Sequence, residues 1–122
     1  MKHRTSELTG VLLDAAVALA EGPALPDFWR DPDDGTCWVR PGRELWEPSI
    51  RWEQAGPIMD REFIDTAGPN EFDDDERWFA GIYRDHARRC SPRNCEMRGE
   101  TRLIAAMRAF VALKLGEEVE LP

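Results

Sequence analysis

The sequence lacks a long apolar run. No apolar stretch reaches the length of about 18 residues that a membrane-spanning helix needs. Glu7 and Asp14 interrupt the first apolar stretch, so the N-terminal segment does not have the pattern of a secretory signal peptide. We therefore expect a cytoplasmic protein that makes no contact with a membrane.

Histidine and cysteine are scarce. The chain has two histidines and three cysteines, and an odd number of cysteines without an export signal favours reduced thiols. His86, Cys90 and Cys95, with Cys37 far upstream, are a candidate zinc set, but the second closely spaced pair that makes such a motif specific is missing. The alternative interpretation is a set of loop thiols. The acidic run from Asp31 to Gly35 lacks the ligand spacing of a calcium loop and is better interpreted as a turn. The sequence predicts no metal and no cofactor.

Local catalytic motifs are missing too. The chain contains no G-x-S-x-G, H-E-x-x-H or P-loop pattern. Catalytic carboxylates need no local motif, so a small enzyme with carboxylate chemistry stays as the third of three functional hypotheses. Because these motifs are missing, the sequence favours a protein that is not an enzyme.

The composition that is present fits one folded domain over residues 1–122. The chain has 122 residues, of which 42% are hydrophobic, and this is typical of a globular protein. Its 24 acidic and 16 basic residues give a net charge of −8, which disfavours non-specific binding to nucleic acid or to an anionic membrane.

The apolar periodicity predicts an α+β fold with two main helices packed on a small antiparallel sheet, and with long irregular loops. One helix is predicted between Thr9 and Gly22, and a second between Thr101 and Gly116. A turn at Gly56 is expected to lead into a short helix with Pro57 at its first position. The predicted strands lie near 36–40, 64–66, 77–83, 95–98 and 118–121. Residues 23–47 are rich in proline and tryptophan and are expected to form a long loop.

Three blocks of the sequence resemble the NinX-like family of small phage and prophage proteins. They are SELTGVLLDAAVALAEG at 6–22, PSIRWEQAGPIMDRE at 48–62 and LIAAMRAFVALKLGEEVELP at 103–122. Residues 23–47 and 65–100 do not follow this pattern, and Arg102 stands where the family usually has a proline. The resemblance implies a phage or prophage origin and a place in the cytosol of a bacterium. It implies no reaction, and no catalytic residue is carried over from it.

The second block is a candidate binding segment. We expect its site residues to be Trp52, Gln54, Arg61 and Glu62. Trp and Arg dominate interface hot spots, and Gln54 has an amide suited to reading another amide or a base edge. In the alternative interpretation Trp52 packs on the core, and Gly56 and Pro57 only shape a turn. Burial of both Trp52 and Gln54, with Gln54 bonded only to backbone, would count against the binding hypothesis.

The function most consistent with these features is a non-enzymatic accessory protein that binds a host or phage protein. Its candidate contact faces are the acidic segments 31–34 and 71–76. The second hypothesis is a nucleic-acid-associated protein that uses the Arg84–Arg98 stretch. Against it stands the interpretation that these arginines pair with the acidic run Asp73–Glu76. The oligomeric state is left open.

Overall fold

The computed structural model describes residues 1–25, 28–39, 44–69, 75–82 and 96–121. Within these residues the chain forms three α-helices and eight short strands. The helices are α1 (Gly10–Glu21), α2 (Trp52–Glu62) and α3 (Arg102–Leu115). The strands are β1 (Lys2–Arg4), β2 (Trp29–Arg30), β3 (Cys37–Val39), β4 (Glu44–Leu45), β5 (Ile64–Ala67), β6 (Trp78–Ile82), β7 (Met97–Gly99) and β8 (Glu118–Glu120).

All the strand pairs are antiparallel, and the strands divide among three small sheets. Their orders are β1-β8, β2-β3-β4 and β5-β6-β7. The mixed α+β class expected from the sequence is confirmed. In place of one sheet, the described strands form three separate sheets, and the short helix expected after Gly56 is present as α2. No described helix is long and apolar enough to cross a membrane.

Helix α3 lies at the centre of the core. It packs against β5, β6 and β7 on one side and against α1 on another. Nine of its fourteen residues are buried, among them Met107, Phe110 and Val111. Its start and end follow the sequence signals. The Thr101 hydroxyl accepts a hydrogen bond from the Ile104 backbone N–H at 3.2 Å, and Gly116 ends the helix with φ 93°.

Helix α1 begins and ends where its sequence predicts. Thr9 is the N-cap residue, although its hydroxyl makes no capping hydrogen bond. Gly22 follows the last helical residue with φ 57°, a value that glycine adopts without steric cost. Leu13 and Val17 are fully buried, while Leu19 is 52% exposed. The helix is therefore less enclosed than its apolar composition suggested.

The predicted start of α2 is wrong. The helix begins at Trp52, four residues before the expected turn at Gly56, and Pro57 lies inside it. A turn leads directly into the helix, because the N–H groups of Ile50 and Arg51 both donate to the Glu47 carbonyl. Pro57 lies in the second turn, where it removes one intrahelical hydrogen bond. Burial of Ala55 and Ile58 on the same helix offsets that loss.

The proline- and tryptophan-rich segment contains more order than one short strand. The predicted strand near 36–40 is β3, and it pairs with β2 and β4 on its two sides. Trp29 and Trp38 face each other across β2 and β3 with ring centroids 5.8 Å apart. Trp46 is buried and donates its indole N–H to the Asp14 carbonyl at 3.0 Å.

The first and last strands join distant parts of the chain. Lys2, His3 and Arg4 pair in register with Glu120, Val119 and Glu118. Beside this pair, the buried Thr5 donates its hydroxyl to the Gly116 carbonyl at 2.7 Å. Val119 and Leu121 face inward and are buried, as the alternation in the sequence predicts.

Candidate functional site

An exposed aromatic and basic cluster lies where α2, α3 and β6 begin. We call it the Trp52 surface, and it consists of Ile50, Trp52, Trp78 and Arg102. Ile50 is 66% exposed and Trp52 is 50% exposed, both high values for large apolar side chains. The surface includes a shallow depression of about 240 Å³. It is lined by Ser49, Ile50, Trp52, Thr101, Arg102 and Leu103.

Arg102 is the centre of this surface. Its guanidinium carbon lies 4.4 Å from the ring centroid of Trp78 and 5.8 Å from that of Trp52. Both distances are in the range of cation–π attraction. The acidic side chains Glu47 and Glu53, close to Trp52 in the sequence, pair with Arg51 at 3.1 and 3.8 Å. Across the described ranges, no carboxylate forms an ion pair with Arg102.

A buried carboxylate fixes the turn that carries Ile50. Asp14 on α1 is 3% exposed, and its Oδ1 accepts a hydrogen bond from the Ser49 backbone N–H at 2.9 Å. Burial raises the pKa of Asp14 to about 6, against the opposing effect of the hydrogen bonds from Ser49. The turn is thereby attached to α1, and Ile50 and Trp52 are presented on a rigid support.

Gln54 has a structural task in this arrangement. It is 9% exposed, and its side-chain oxygen accepts from the Glu47 backbone N–H at 2.6 Å. Its amide nitrogen donates to the Leu45 carbonyl at 2.6 Å and to Glu44 Oε1 at 3.2 Å. The amide therefore ties α2 to the segment around β4, and of the pair Trp52 and Gln54 only Trp52 is offered to solvent.

Arg61 and Glu62 lie at the other end of α2, about 14 Å along the helix axis from Trp52. Arg61 donates to both oxygens of Glu21 and to Glu62 Oε2, and its guanidinium lies 5.8 Å from the Phe110 ring centroid. Glu62 is 4% exposed, and Lys114 Nζ lies 3.7 Å from its Oε1. These two residues connect the three helices, and the structure does not bring them together with Trp52.

Three members of the Trp52 surface were not among the predicted site residues. Ile50 and Trp78 carry no local sequence signal. Arg102 does carry a sequence signal, because it stands where the NinX-like family usually has a proline after the N-cap threonine. A proline has no guanidinium, so this replacement introduces the cation between the two indole rings.

The described part of the acidic segments is occupied in local bonds. Asp31 accepts from the Asp33 N–H at 2.8 Å, and Asp34 accepts from both the N–H and the hydroxyl of Thr36 at 2.9 and 2.7 Å. These bonds lower the pKa of Asp34. They are the bonds of a proline-and-aspartate turn. No group of residues suited to hold a metal ion occurs in the ranges that the structure describes.

The basic stretch lies mostly outside the described residues. His86, Cys90 and Cys95 of the candidate zinc set lie there, as do Arg84 and residues 71–74. Cys37 is buried, and burial raises the pKa of its thiol to about 11.

The two ends of that region bear on the pairing alternative. Asp75 accepts from Arg77 Nη2 at 2.9 Å and lies 3.6 Å from Arg98 Nε. These arginines lower the pKa of Asp75 to about 2, Arg77 having the larger effect. Arg98 therefore has the acidic partner that the pairing interpretation expects.

Comparison with known proteins agrees with the three sequence blocks. The model of the bacteriophage P22 NinX family matches residues 4–114, which is most of the chain. The protein therefore belongs to the bacteriophage P22 NinX family, and the resemblance noted in the sequence is confirmed. No curated protein matches the sequence.

Proposed function

We propose that this protein is a non-enzymatic binding module of phage origin, which acts in the bacterial cytoplasm by contacting a host or phage protein through the Trp52 surface. One observation carries the proposal. An exposed tryptophan and an exposed isoleucine lie beside an arginine whose guanidinium is within cation–π distance of two indole rings.

The composition of the surface supports a protein partner. Tryptophan and arginine are the residues most enriched at interface hot spots, where truncation of one side chain costs 2 kcal/mol or more. A partner that covers Trp52 and Ile50 removes two apolar side chains from water.

The rigidity of the surface also supports binding. The Asp14 bond holds the turn before α2, and the Gln54 amide holds the start of that helix to the β4 segment. Binding residues on a fixed support lose less conformational entropy when a partner docks. Gln54 thus contributes to binding by positioning Trp52.

Affinity capture from bacterial lysate, with and without nuclease, tests the proposal. The bait is the full chain, either unchanged or carrying Trp52→Ala. The matched control is Leu19→Ala, because Leu19 is also 52% exposed but belongs to α1. We expect the unchanged bait to capture a protein in stoichiometric amount, and nuclease treatment should leave that capture unchanged. The Leu19→Ala bait should capture the same amount, whereas Trp52→Ala should lower the affinity for the captured protein about 30-fold or more.

Two outcomes would contradict the proposal. If Trp52→Ala captures as much protein as the unchanged bait, the partner does not bind through the Trp52 surface. Capture that disappears with nuclease would transfer the function to nucleic acid and to the Arg84–Arg98 stretch.

A further inference from the structure

We propose that the Trp52 surface recognises a short protein segment in which an aspartate or glutamate stands next to a bulky apolar side chain. This inference rests on the proposed function and names the chemistry of the partner. The carboxylate would bind Arg102, and the apolar side chain would lie between Ile50 and Trp52.

The first step is the state of Arg102. Its described interactions are with the rings of Trp78 and Trp52, and it has no ion pair with a described carboxylate. A guanidinium has five N–H donors, and within the described residues no hydrogen bond uses one from Arg102. Those donors form a fork that matches the two oxygens of a carboxylate.

The second step is the charge around Arg102. The carboxylates of Glu47 and Glu53 are paired with Arg51, and Asp75 is paired with Arg77 and Arg98. Within the described residues Arg102 thus differs from Arg51 and Arg77 in having no carboxylate partner, and it lies beside the apolar side chains of Trp78 and Trp52. A charge-assisted hydrogen bond is stronger beside apolar groups that exclude water. Charge complementarity therefore selects a carboxylate at this position.

The third step is the apolar part of the ligand. Ile50 and Trp52 keep half or more of their surface exposed, and both line the same depression as Arg102. A lone acidic side chain would leave this apolar area in water. An adjacent leucine, isoleucine, phenylalanine or tryptophan would cover it.

A short peptide fits this surface better than a nucleic acid. A phosphate backbone needs several cations along its path, because each neutralised phosphate contributes to affinity. The Trp52 surface has one, Arg102, and the adjacent Arg51 is paired with Glu47 and Glu53. An isolated carboxylate requires only one arginine.

The test is selection of random twelve-residue peptides displayed on phage, with the full-length protein as bait. Parallel selections use Arg102→Gln and Leu19→Ala, after circular dichroism has shown that both variants are folded. We expect the unchanged protein and Leu19→Ala to enrich peptides with an acidic residue next to a bulky apolar one. Arg102→Gln should not enrich them.

The best enriched peptide is then titrated as a fluorescein conjugate. Replacement of its acidic residue by the matching amide should weaken binding about tenfold or more, and Trp52→Ala should weaken it to a similar degree. Arg102→Lys should recover only part of the affinity, because an ammonium group keeps the charge but not the fork.

The outcomes separate the inference from the proposed function. Enriched peptides that depend on Trp52 but carry no excess of acidic residues would overturn the inference and leave the binding module in place. If Arg102→Gln enriches the same acidic and apolar peptides as the unchanged protein, the inference is overturned as well. If the protein enriches no peptide but binds a fluorescent single-stranded oligonucleotide in an Arg102-dependent way, both the inference and the proposed function fail.

Discussion

Two charged side chains in the core each bind the backbone of a neighbouring segment. Asp14 accepts from the Ser49 N–H, and Arg108 donates to the carbonyls of Leu8 and Arg98 at 2.9 and 2.6 Å. A buried charge without partners is costly, so such residues persist where the backbone groups they bind would otherwise be unsatisfied. At the scale of single residues, these bonds set the position of the turn before α2 and of β7.

The raised pKa of Asp14 makes stability depend on pH in a defined direction. Its folded-state pKa of about 6 lies above its ordinary value of 3.8, so the folded protein holds the proton more tightly than the unfolded chain does. The resulting stabilisation is fully present below pH 3.8 and is lost as the pH rises through 6.

Asp14→Asn removes this titration but keeps an oxygen that accepts from the Ser49 N–H. We expect the free energy of unfolding of the variant, relative to the unchanged protein, to rise by about 2 kcal/mol between pH 4 and pH 7. Urea denaturation at four pH values in that interval measures the difference. Asp75 titrates in both proteins and cancels, so a difference that stays constant with pH would contradict the assignment.

Sequence reasoning reached only part of the site at this scale. Trp52 was identified because a tryptophan in a polar segment is a recognisable anchor. The structural role of Gln54 depends on where β4 lies, and the role of Trp78 depends on a strand that begins beside α3. Both relations are made by tertiary packing, which no local pattern encodes.

At the scale of elements, the sequence located the helices whose ends carry standard residues. α1 and α3 are flanked by Thr9 with Gly22 and by Thr101 with Gly116. The sequence misplaces the start of α2 because proline is favoured at a first helical position, whereas the helix begins at Trp52 and buries Gln54 and Ala55 before Pro57. The small β2-β3-β4 sheet was largely missed because β2 and β4 have only two residues each.

Helix α3 packs closely against β7 at Gly99. A Cβ atom on residue 99 would lie 2.6 Å from the Ala105 backbone nitrogen and 3.0 Å from the Ile104 carbonyl carbon. Neither backbone atom can yield unless the helix moves. Gly56, inside α2, is the matched control, since a Cβ there meets no atom within 4 Å outside its chain neighbours and the nearby backbone of its own helix.

Alanine at these two glycines should therefore have effects of different size. We expect Gly99→Ala to lower the free energy of unfolding by about 1–3 kcal/mol through steric overlap. Gly56→Ala should change it by less than about 1 kcal/mol, because the gain in helix propensity is opposed by crowding of the new Cβ against the Pro57 ring. Chemical denaturation of both variants measures these changes. If Gly99→Ala has the same free energy of unfolding as the unchanged protein, α3 does not pack closely against β7 at this position.

At the scale of the whole molecule, the two-stranded β1-β8 sheet belongs to the same hydrophobic core as the helices. Leu121 follows β8, is 2% exposed, and donates its backbone N–H to the Met1 carbonyl at 3.1 Å. The core cluster that contains Leu121 and Val119 also contains Phe110 of α3 and Leu13 of α1. This continuity supports the expectation of a single domain.

Leu121→Ala tests that expectation. Removal of a buried leucine side chain should lower the free energy of unfolding by about 2–5 kcal/mol. If the chain is one cooperative unit, the unfolding curves from far-ultraviolet circular dichroism and from tryptophan fluorescence should shift together. Two separated transitions, or a loss confined to one probe, would contradict a single domain over residues 1–122.

The β1-β8 pairing has a consequence for the order of events when the chain is synthesised. The Thr5 hydroxyl donates its hydrogen bond to the carbonyl of Gly116, a residue 111 positions further along the chain. On the ribosome, β1 is made first but has no partner strand until residues 118–120 have emerged. Contacts between distant segments also carry the largest loop-closure cost, which must be met before the contact contributes energy. β1 therefore stays without its partner while the residues between the two strands are made, and we expect the pairing to follow the packing of α3 on the β5-β6-β7 sheet.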